Sequence, residues 1–319
     1  MIILYVLIFI ISVLFLFLSS EWLIKSLAKI AQFFNWREFV FALFIVAFAC
    51  SLPNLFIGIS SVIQNIPHLA LGEVLGGNII DLTLAVALAA LISKNGLTVM
   101  SRTVQGTAIF TLIIAILPLL LITDGILSRT DGIILLLTFF IYILWLFSKQ
   151  ERFTRIFDED QKNIKLQDIL KNFFIFIGAL IMLFLAAGGV VKTASFFAET
   201  LNLPIILIGI LIVGLGNALP EIFFSIQSAK KGDDWMVIGA LMGAVIGAAT
   251  LALGIVALLS PIQINPNDFS LLAVARAFLI IAAIIFLFFI RTGHKITRKE
   301  GILLLIIYLL FVFAQILIV

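Results

Sequence analysis

Ser51-Leu52-Pro53-Asn54-Leu55-Phe56-Ile57-Gly58-Ile59-Ser60-Ser61 has a counterpart further along the chain, Ala218-Leu219-Pro220-Glu221-Ile222-Phe223-Phe224-Ser225-Ile226-Gln227-Ser228. The offset between them, 167 positions from Pro53 to Pro220, also pairs Lys25 with Lys192, Asn35 with Asn202, Gly72 with Gly239 and Gly76 with Gly243. It further pairs Ile79 with Ile246, Thr83 with Thr250, Leu84 with Leu251 and Ser93 with Ser260. Apolar coincidences are cheap in a chain like this one, but matched Pro, Gly, Asn and Ser at a single offset are not. The chain is therefore an internal repeat. A later match, Gly132 with Gly301, extends it at an offset of 169.

Composition says where such a repeat lives. Of 319 residues, 63% are hydrophobic and 12% charged, with a mean hydropathy of +1.30. Soluble domains average roughly 45–50% apolar and about 25% charged. That much apolar surface needs lipid as its solvent, and a span needs about 20 mostly apolar residues. The expected spans lie near 2–22, 37–64, 69–92, 104–123, 132–148, 169–191, 204–229, 235–259, 270–290 and 301–318. The apolar start, Met1 to Leu18, has no basic leader and no small-residue cleavage site, so it reads as the first span and not as a signal peptide.

One long polar stretch, Lys149 to Lys171, divides the chain. It gives a first five-helix repeat over 1–148, a cytoplasmic linker over 149–168 and a second repeat over 169–319. So little chain lies outside the membrane that a soluble catalytic domain is excluded. With the N-terminus outside, 17 of the 20 Lys and Arg fall on the cytoplasmic side, leaving Arg129, Lys192 and Arg276. Both termini are then expected outside, in the plasma membrane of a single-membrane cell. The net charge of +3 carries no basic stripe with interleaved aromatics, so no nucleic acid partner is expected. The single cysteine, Cys50, cannot form an internal disulfide.

Five spans per repeat is an odd number, so the second copy enters the membrane inverted. The fold class is an all-α membrane protein of about ten helices in two inverted repeats, the architecture of secondary transporters. Their ion sites lie at the midplane, where helices are interrupted. Pro53 and Pro220 mark the expected interruptions, because a proline removes a backbone hydrogen bond within a helix. The freed carbonyls, Cys50's among them, are candidate ligands for a hard cation.

Ionisable side chains at membrane depth are costly and are read as functional. Three carboxylates qualify: Glu73, Asp81 and Glu221. Positions 73, 77 and 81 share a helix face, with Asp81 the deeper and Glu73 nearer an entrance. Ser51, Asn54, Asn78 and Asn217 supply neutral oxygens nearby, with Thr83 and Thr250 one turn further. Two carboxylates with oxygen-only ligands suit Ca²⁺ or Na⁺. His68 and His294 fall in predicted loops, which argues against a soft-metal site. No cofactor is expected, and the partners are inorganic cations and the lipid bilayer. No His-Glu-x-x-His motif or Ser/His pair lies within the spans, so an enzyme is not expected.

These residues resemble the α-repeats of the calcium/cation antiporter superfamily, and of the sodium/calcium exchangers above all. That pattern reads G-T-S-L-P-E and then G-N-x-x-G-S-N-I-x-N/D. Here the first copy is Ala49-Cys50-Ser51-Leu52-Pro53-Asn54, then Gly72-Glu73-Val74-Leu75-Gly76-Gly77-Asn78-Ile79-Ile80-Asp81. The second is Gly216-Asn217-Ala218-Leu219-Pro220-Glu221, then Gly239-Ala240-Leu241-Met242-Gly243-Ala244-Val245-Ile246-Gly247-Ala248. The departures are Asn54 for the first glutamate, Glu73 for an asparagine, and Ala244 and Ala248 for polar residues. The resemblance implies Ca²⁺/Na⁺ exchange by alternating access, with spans one and six sliding past the other eight. A cation/proton exchanger and a non-transporting ion-binding relative stay open as alternatives.

Overall fold

The structure, a computed structural model, describes residues 1–33, 39–99, 102–148 and 166–318. The apolar runs become ten helices: α1 Ile2–Phe33, α2 Phe39–Ile63, α3 Pro67–Ile92, α4 Arg102–Leu121, α5 Arg129–Phe147, α6 Leu166–Leu201, α7 Ile205–Lys231, α8 Asp234–Leu259, α9 Phe269–Gly293 and α10 Arg298–Leu317. Among the described residues, all but α2 are long and apolar enough by themselves to cross a membrane, and α2 contributes an apolar Cys50–Ile63 end. Outward-facing side chains such as Phe140, Leu144, Phe174 and Leu185 are exposed and apolar, as a lipid-facing surface requires.

The helices overrun several expected boundaries. The first span, expected to close at residue 22, runs to Phe33 and carries Lys25 and Glu21 as an exposed i,i+4 ion pair at 2.5 Å. The sixth begins at Leu166, inside the segment expected to be linker, and ends only at Leu201. The remaining linker, 149–165, and the repeat match at Asn35 lie outside the described residues. At 1.5 Å per residue, helices of 32 and 36 residues are about 48 and 54 Å long. That exceeds a hydrocarbon core of about 30 Å and is accommodated by tilt or by projection beyond the bilayer. Asn202 stops α6 in the left-handed conformation, φ 53°, two residues before Pro204.

The inverted repeat is visible in detail. A π-helical turn interrupts α3 at Asp81–Ala85, and another interrupts α8 at Ala248–Ala252, the same offset as the two prolines. Within them Thr83 donates its hydroxyl to the Ile79 carbonyl and Thr250 to the Ile246 carbonyl. Capping boxes open α5, with Ser128 and Asp131, and α10, with Thr297 and Glu300. Glycines open the same close crossings: a Cβ on Gly132 would sit 2.8 Å from the Gly254 carbonyl oxygen, and one on Gly301 3.3 Å from that of Ala87.

Short strands tie each repeat to the other. β1 (Leu97–Thr98) pairs antiparallel with β4 (Lys295–Ile296), and β2 (Ile126–Leu127) with β3 (Ile262–Gln263). Helices α1 and α6 pack along one another, with Tyr5 stacked on Phe196 at 3.7 Å and Gly189 seated against Ser12. They are the centre of a second core, Leu16, Leu23, Leu183, Ala187 and Val190 among it, to which α2 adds Leu52 and Ile57, α3 adds Leu69, and α7 adds Ile208 and Val213. The larger core joins α3, α4, α5, α8, α9 and α10 with part of α7.

Where helix breaks were expected, there are none. Both Pro53 and Pro220 lie inside continuous helix, and the irregularity in α7 falls earlier, in a π-helical turn at Gly209–Val213. A π-helical turn re-spaces backbone hydrogen bonds without ending the helix.

Candidate functional site

Helix α3 is brought onto α7 by a Gly-x-x-x-Gly pair, Gly72 and Gly76. A Cβ on Gly76 would lie 2.7 Å from the Ile210 carbonyl carbon and 2.9 Å from its Cα, and one on Gly72 would lie 3.2 Å from the Ile206 carbonyl carbon. From the other side, Gly209 faces the Glu73 amide nitrogen and Gly214 faces that of Gly77, each 3.0 Å from a notional Cβ. Small residues of this kind let membrane helices meet backbone to backbone. On the opposite crossing, α2 meets α8 where Ser51 rests on Gly247, in the space a Cβ would take.

These crossings bury all eight sequence-predicted residues. Cys50, Ser51, Asn54, Glu73, Asn78, Asp81, Asn217 and Glu221 are each no more than 6% exposed. Asn217 on α7 is the hub. Its side-chain amide donates to Glu73 Oε1 at 2.6 Å and to Asn54 Oδ1 at 2.9 Å, so three helices meet in one hydrogen-bonded group. Asn54 in turn donates to the Cys50 carbonyl at 3.4 Å, occupying one side of an oxygen expected to be a ligand. Glu73, expected nearer an entrance, is completely buried, because the Ile206–Gly214 stretch of α7 lies against it. His68, expected in a loop, is in the first turn of α3, with its Nε2 on the Gln263 carbonyl.

Asp81 lies within electrostatic reach of both Glu221 and Glu73, and Cys50 within reach of Asp81 and Glu221. Several polar atoms here have no hydrogen-bond partner in the protein: Glu73 Oε2, Asp81 Oδ1, Glu221 Oε2, Asn217 Oδ1 and both polar atoms of Asn78. Among the described residues the one ion pair is that of Lys25 with Glu21, so no cationic side chain is paired with the buried carboxylates. Buried charge of this kind is expensive unless something positive compensates it. Among the described residues no three His, Cys, Asp or Glu side chains converge on one point. The carboxylates are therefore spread along the site, and amide and hydroxyl oxygens must complete any coordination shell.

The sequence reading missed Ser225. It stands one turn beyond Glu221 on the same face, wholly buried, with its hydroxyl unpartnered. The i,i+4 spacing from Glu221 was the available signal. Thr83 and Thr250 bond back to their own helices, and Ala244 and Ala248 make the α8 side of the site apolar.

An inverted-repeat, all-helical membrane protein with a buried, uncompensated acidic centre belongs to the class of cation antiporters. The particular family is the sodium/calcium exchangers: the model described as "Sodium/calcium exchanger protein" matches residues 4–148 and 171–317, and this chain belongs to that family. The chain is 27% identical to "Sodium/calcium exchanger MaX1" of Methanosarcina acetivorans, over 96% of each chain. It is 28% identical to an uncharacterized membrane protein of Methanocaldococcus jannaschii, over 95% of each. Among solved structures it is similar to the sodium-calcium exchanger NCX_Mj soaked with Na⁺ and Sr²⁺. That match has a TM-score of 0.69 and 26% identity and covers 98% of both chains.

Proposed function

We propose that the protein exchanges Ca²⁺ for Na⁺ across the membrane by alternating access. The observation that carries this reading is the pair Asp81 and Glu221, buried within electrostatic reach of each other, each with an unpartnered oxygen. Two carboxylates balance one divalent cation, and a hard ion such as Ca²⁺ takes about six to eight oxygens. Asn78, Ser51 and Asn54, with backbone carbonyls near the prolines, are the remaining donors. Membership of the exchanger family supports the ion pair chosen, as does the likeness to MaX1.

The core centred on α1 and α6, distinct from the larger core of the other helices, supports the motion. A helix pair packed mainly on itself can shift against the other eight helices without dismantling their core. Both termini face outward, in the plasma membrane, an orientation supported by the distribution of Lys and Arg.

Uptake of ⁴⁵Ca²⁺ into proteoliposomes, driven first by an outward Na⁺ gradient and then by a pH gradient, tests the proposal. Uptake driven by Na⁺ is expected. Uptake with the pH gradient alone would replace Na⁺ by protons as the coupling ion. No uptake under either would leave an ion-binding protein that does not transport Ca²⁺.

A further inference from the structure

The inverted repeat lets each side chain be compared with its own counterpart, 167 positions away, and two identical residues have unlike surroundings. Leu52, before Pro53 on α2, is 5% exposed and belongs to the core centred on α1 and α6. Leu219, before Pro220 on α7, is 42% exposed. Local sequence does not account for the difference, since each leucine opens a Leu-Pro pair with a phenylalanine following at the same spacing, Phe56 and Phe223.

The mismatch does not arise within α1 and α6. Their shared faces match closely: Leu16 and its counterpart Leu183 are both 0% exposed, and Leu23 and Val190 are 0% and 1%. Nor does it arise from a missing contact. Phe17 of α1 meets Phe223 of α7 edge-on at 5.2 Å, and the counterpart pair, Phe184 of α6 and Phe56 of α2, meets edge-on at 6.1 Å. Both separations lie in the range of about 4.5–7 Å in which aromatic rings attract. A symmetric helix pair therefore rests on both α2 and α7 but sits off centre, with Leu52 covered and Leu219 bare.

In a transporter built of inverted repeats, exchanging the conformations of the two halves gives an arrangement with the same kinds of local contact, open to the opposite face. Here that exchange covers Leu219 and bares Leu52. A bared leucine meets lipid and not water, so the change forfeits close packing alone.

We infer that Leu52 and Leu219 are alternate seats of the α1 and α6 pair, covered one at a time. Packing at these two positions then sets the balance between the two ends of the transport cycle. The inference rests on the exchange reading above and names the contacts that hold each end state.

The test is a pulsed-EPR distance distribution in proteoliposomes, between spin labels at Glu199→Cys on α6 and Thr123→Cys just beyond α4. Both positions are exposed, and the native Cys50 is buried. Leu52→Ala leaves a cavity only where Leu52 is covered, so the population of a second distance is expected to rise about 5- to 30-fold relative to the first. Leu219→Ala leaves a cavity only in the exchanged arrangement. Adding it to Leu52→Ala is therefore expected to restore the wild-type distribution. Leu52→Val and Leu219→Val, with a smaller shift in the same sense, serve if the alanine variants do not fold. A distribution unmoved by Leu52→Ala would overturn the inference. So would a shift that persists in the double variant, because Leu219 would then be no seat at all. Uptake of ⁴⁵Ca²⁺ by the same proteoliposomes is read separately: its absence in wild type would defeat the exchange reading, while the distances still decide between one seat and two.

Discussion

Replacing Gly76 by alanine probes the crossing on which the site is built. The new methyl carbon would stand 2.7 Å from the Ile210 carbonyl carbon and 2.9 Å from Ile210 Cα, and closer still to the carbonyl oxygen. Carbon atoms pack comfortably at about 3.5–4.0 Å, so α3 and α7 must part by about 1 Å. All three contacts are backbone, so no side chain can turn aside. The 2.6 Å bond from Asn217 to Glu73 bridges the same two helices and would stretch past the roughly 3.2 Å limit of a hydrogen bond. Overpacking of this kind costs about 1–3 kcal/mol. That corresponds to a fall in thermal midpoint of about 2–10 °C. Thermal unfolding in detergent and ⁴⁵Ca²⁺ flux in proteoliposomes would be measured together, with Gly178→Ala as the comparison, since nothing lies within 4 Å of a Cβ there. Gly76→Ala is expected to lose most flux and several degrees, and Gly178→Ala neither. Wild-type flux and midpoint in Gly76→Ala would refute the claim that backbone contact between α3 and α7 sets the site.

Four other outcomes are expected. Asp81→Asn and Glu221→Gln each remove a charged ligand, worth about 1.5–3 kcal/mol, and should weaken Ca²⁺ transport about 10- to 100-fold at wild-type expression; normal uptake in both would sink the site. Gly247→Ala places a methyl group where the Ser51 hydroxyl rests, and Ca²⁺ titration should find lowered affinity in a protein that still folds. Asn54→Glu sets a carboxylate beside the Asn217 amide and Glu73, and competition between Na⁺ and Ca²⁺ should reveal altered ion choice with the fold retained. Ser128→Ala and Thr297→Ala each remove an N-cap, at a cost of about 0.5–2 kcal/mol. The two caps are independent, so their effects on the thermal midpoint should add while transport persists.

The repeat, the helix count and the acidic centre were all legible, because proline, glycine and buried charge are rare enough in an apolar chain for their spacing to carry information. The depth of Glu73 was not. It lies close after Pro67, which suggests a position near the membrane surface, and only the glycine-lined crossing with α7 shows that this end of α3 is enclosed. Asn217 was found as one oxygen among several, but its place as the donor joining α2, α3 and α7 depends on contacts between residues far apart in sequence. The prolines pointed to helix breaks because a missing hydrogen bond is local information. The actual re-spacing at Asp81–Ala85, Gly209–Val213 and Ala248–Ala252 is decided by the helices packed against those turns. The lengths of α1 and α6 escaped for a similar reason: hydropathy reports where lipid ends, not where a helix does.

The strand pairs have a bearing on the ancestry of the chain. Each joins a loop of one half to a loop of the other, β1 to β4 and β2 to β3, and among the described residues no strand pairs within its own half. The halves are thus clasped as two reciprocal pieces, much as two subunits of a dimer exchange arms. Each clasp is also the other's repeat counterpart, β1 matching β3 and β2 matching β4, so duplication of one half supplies both at once.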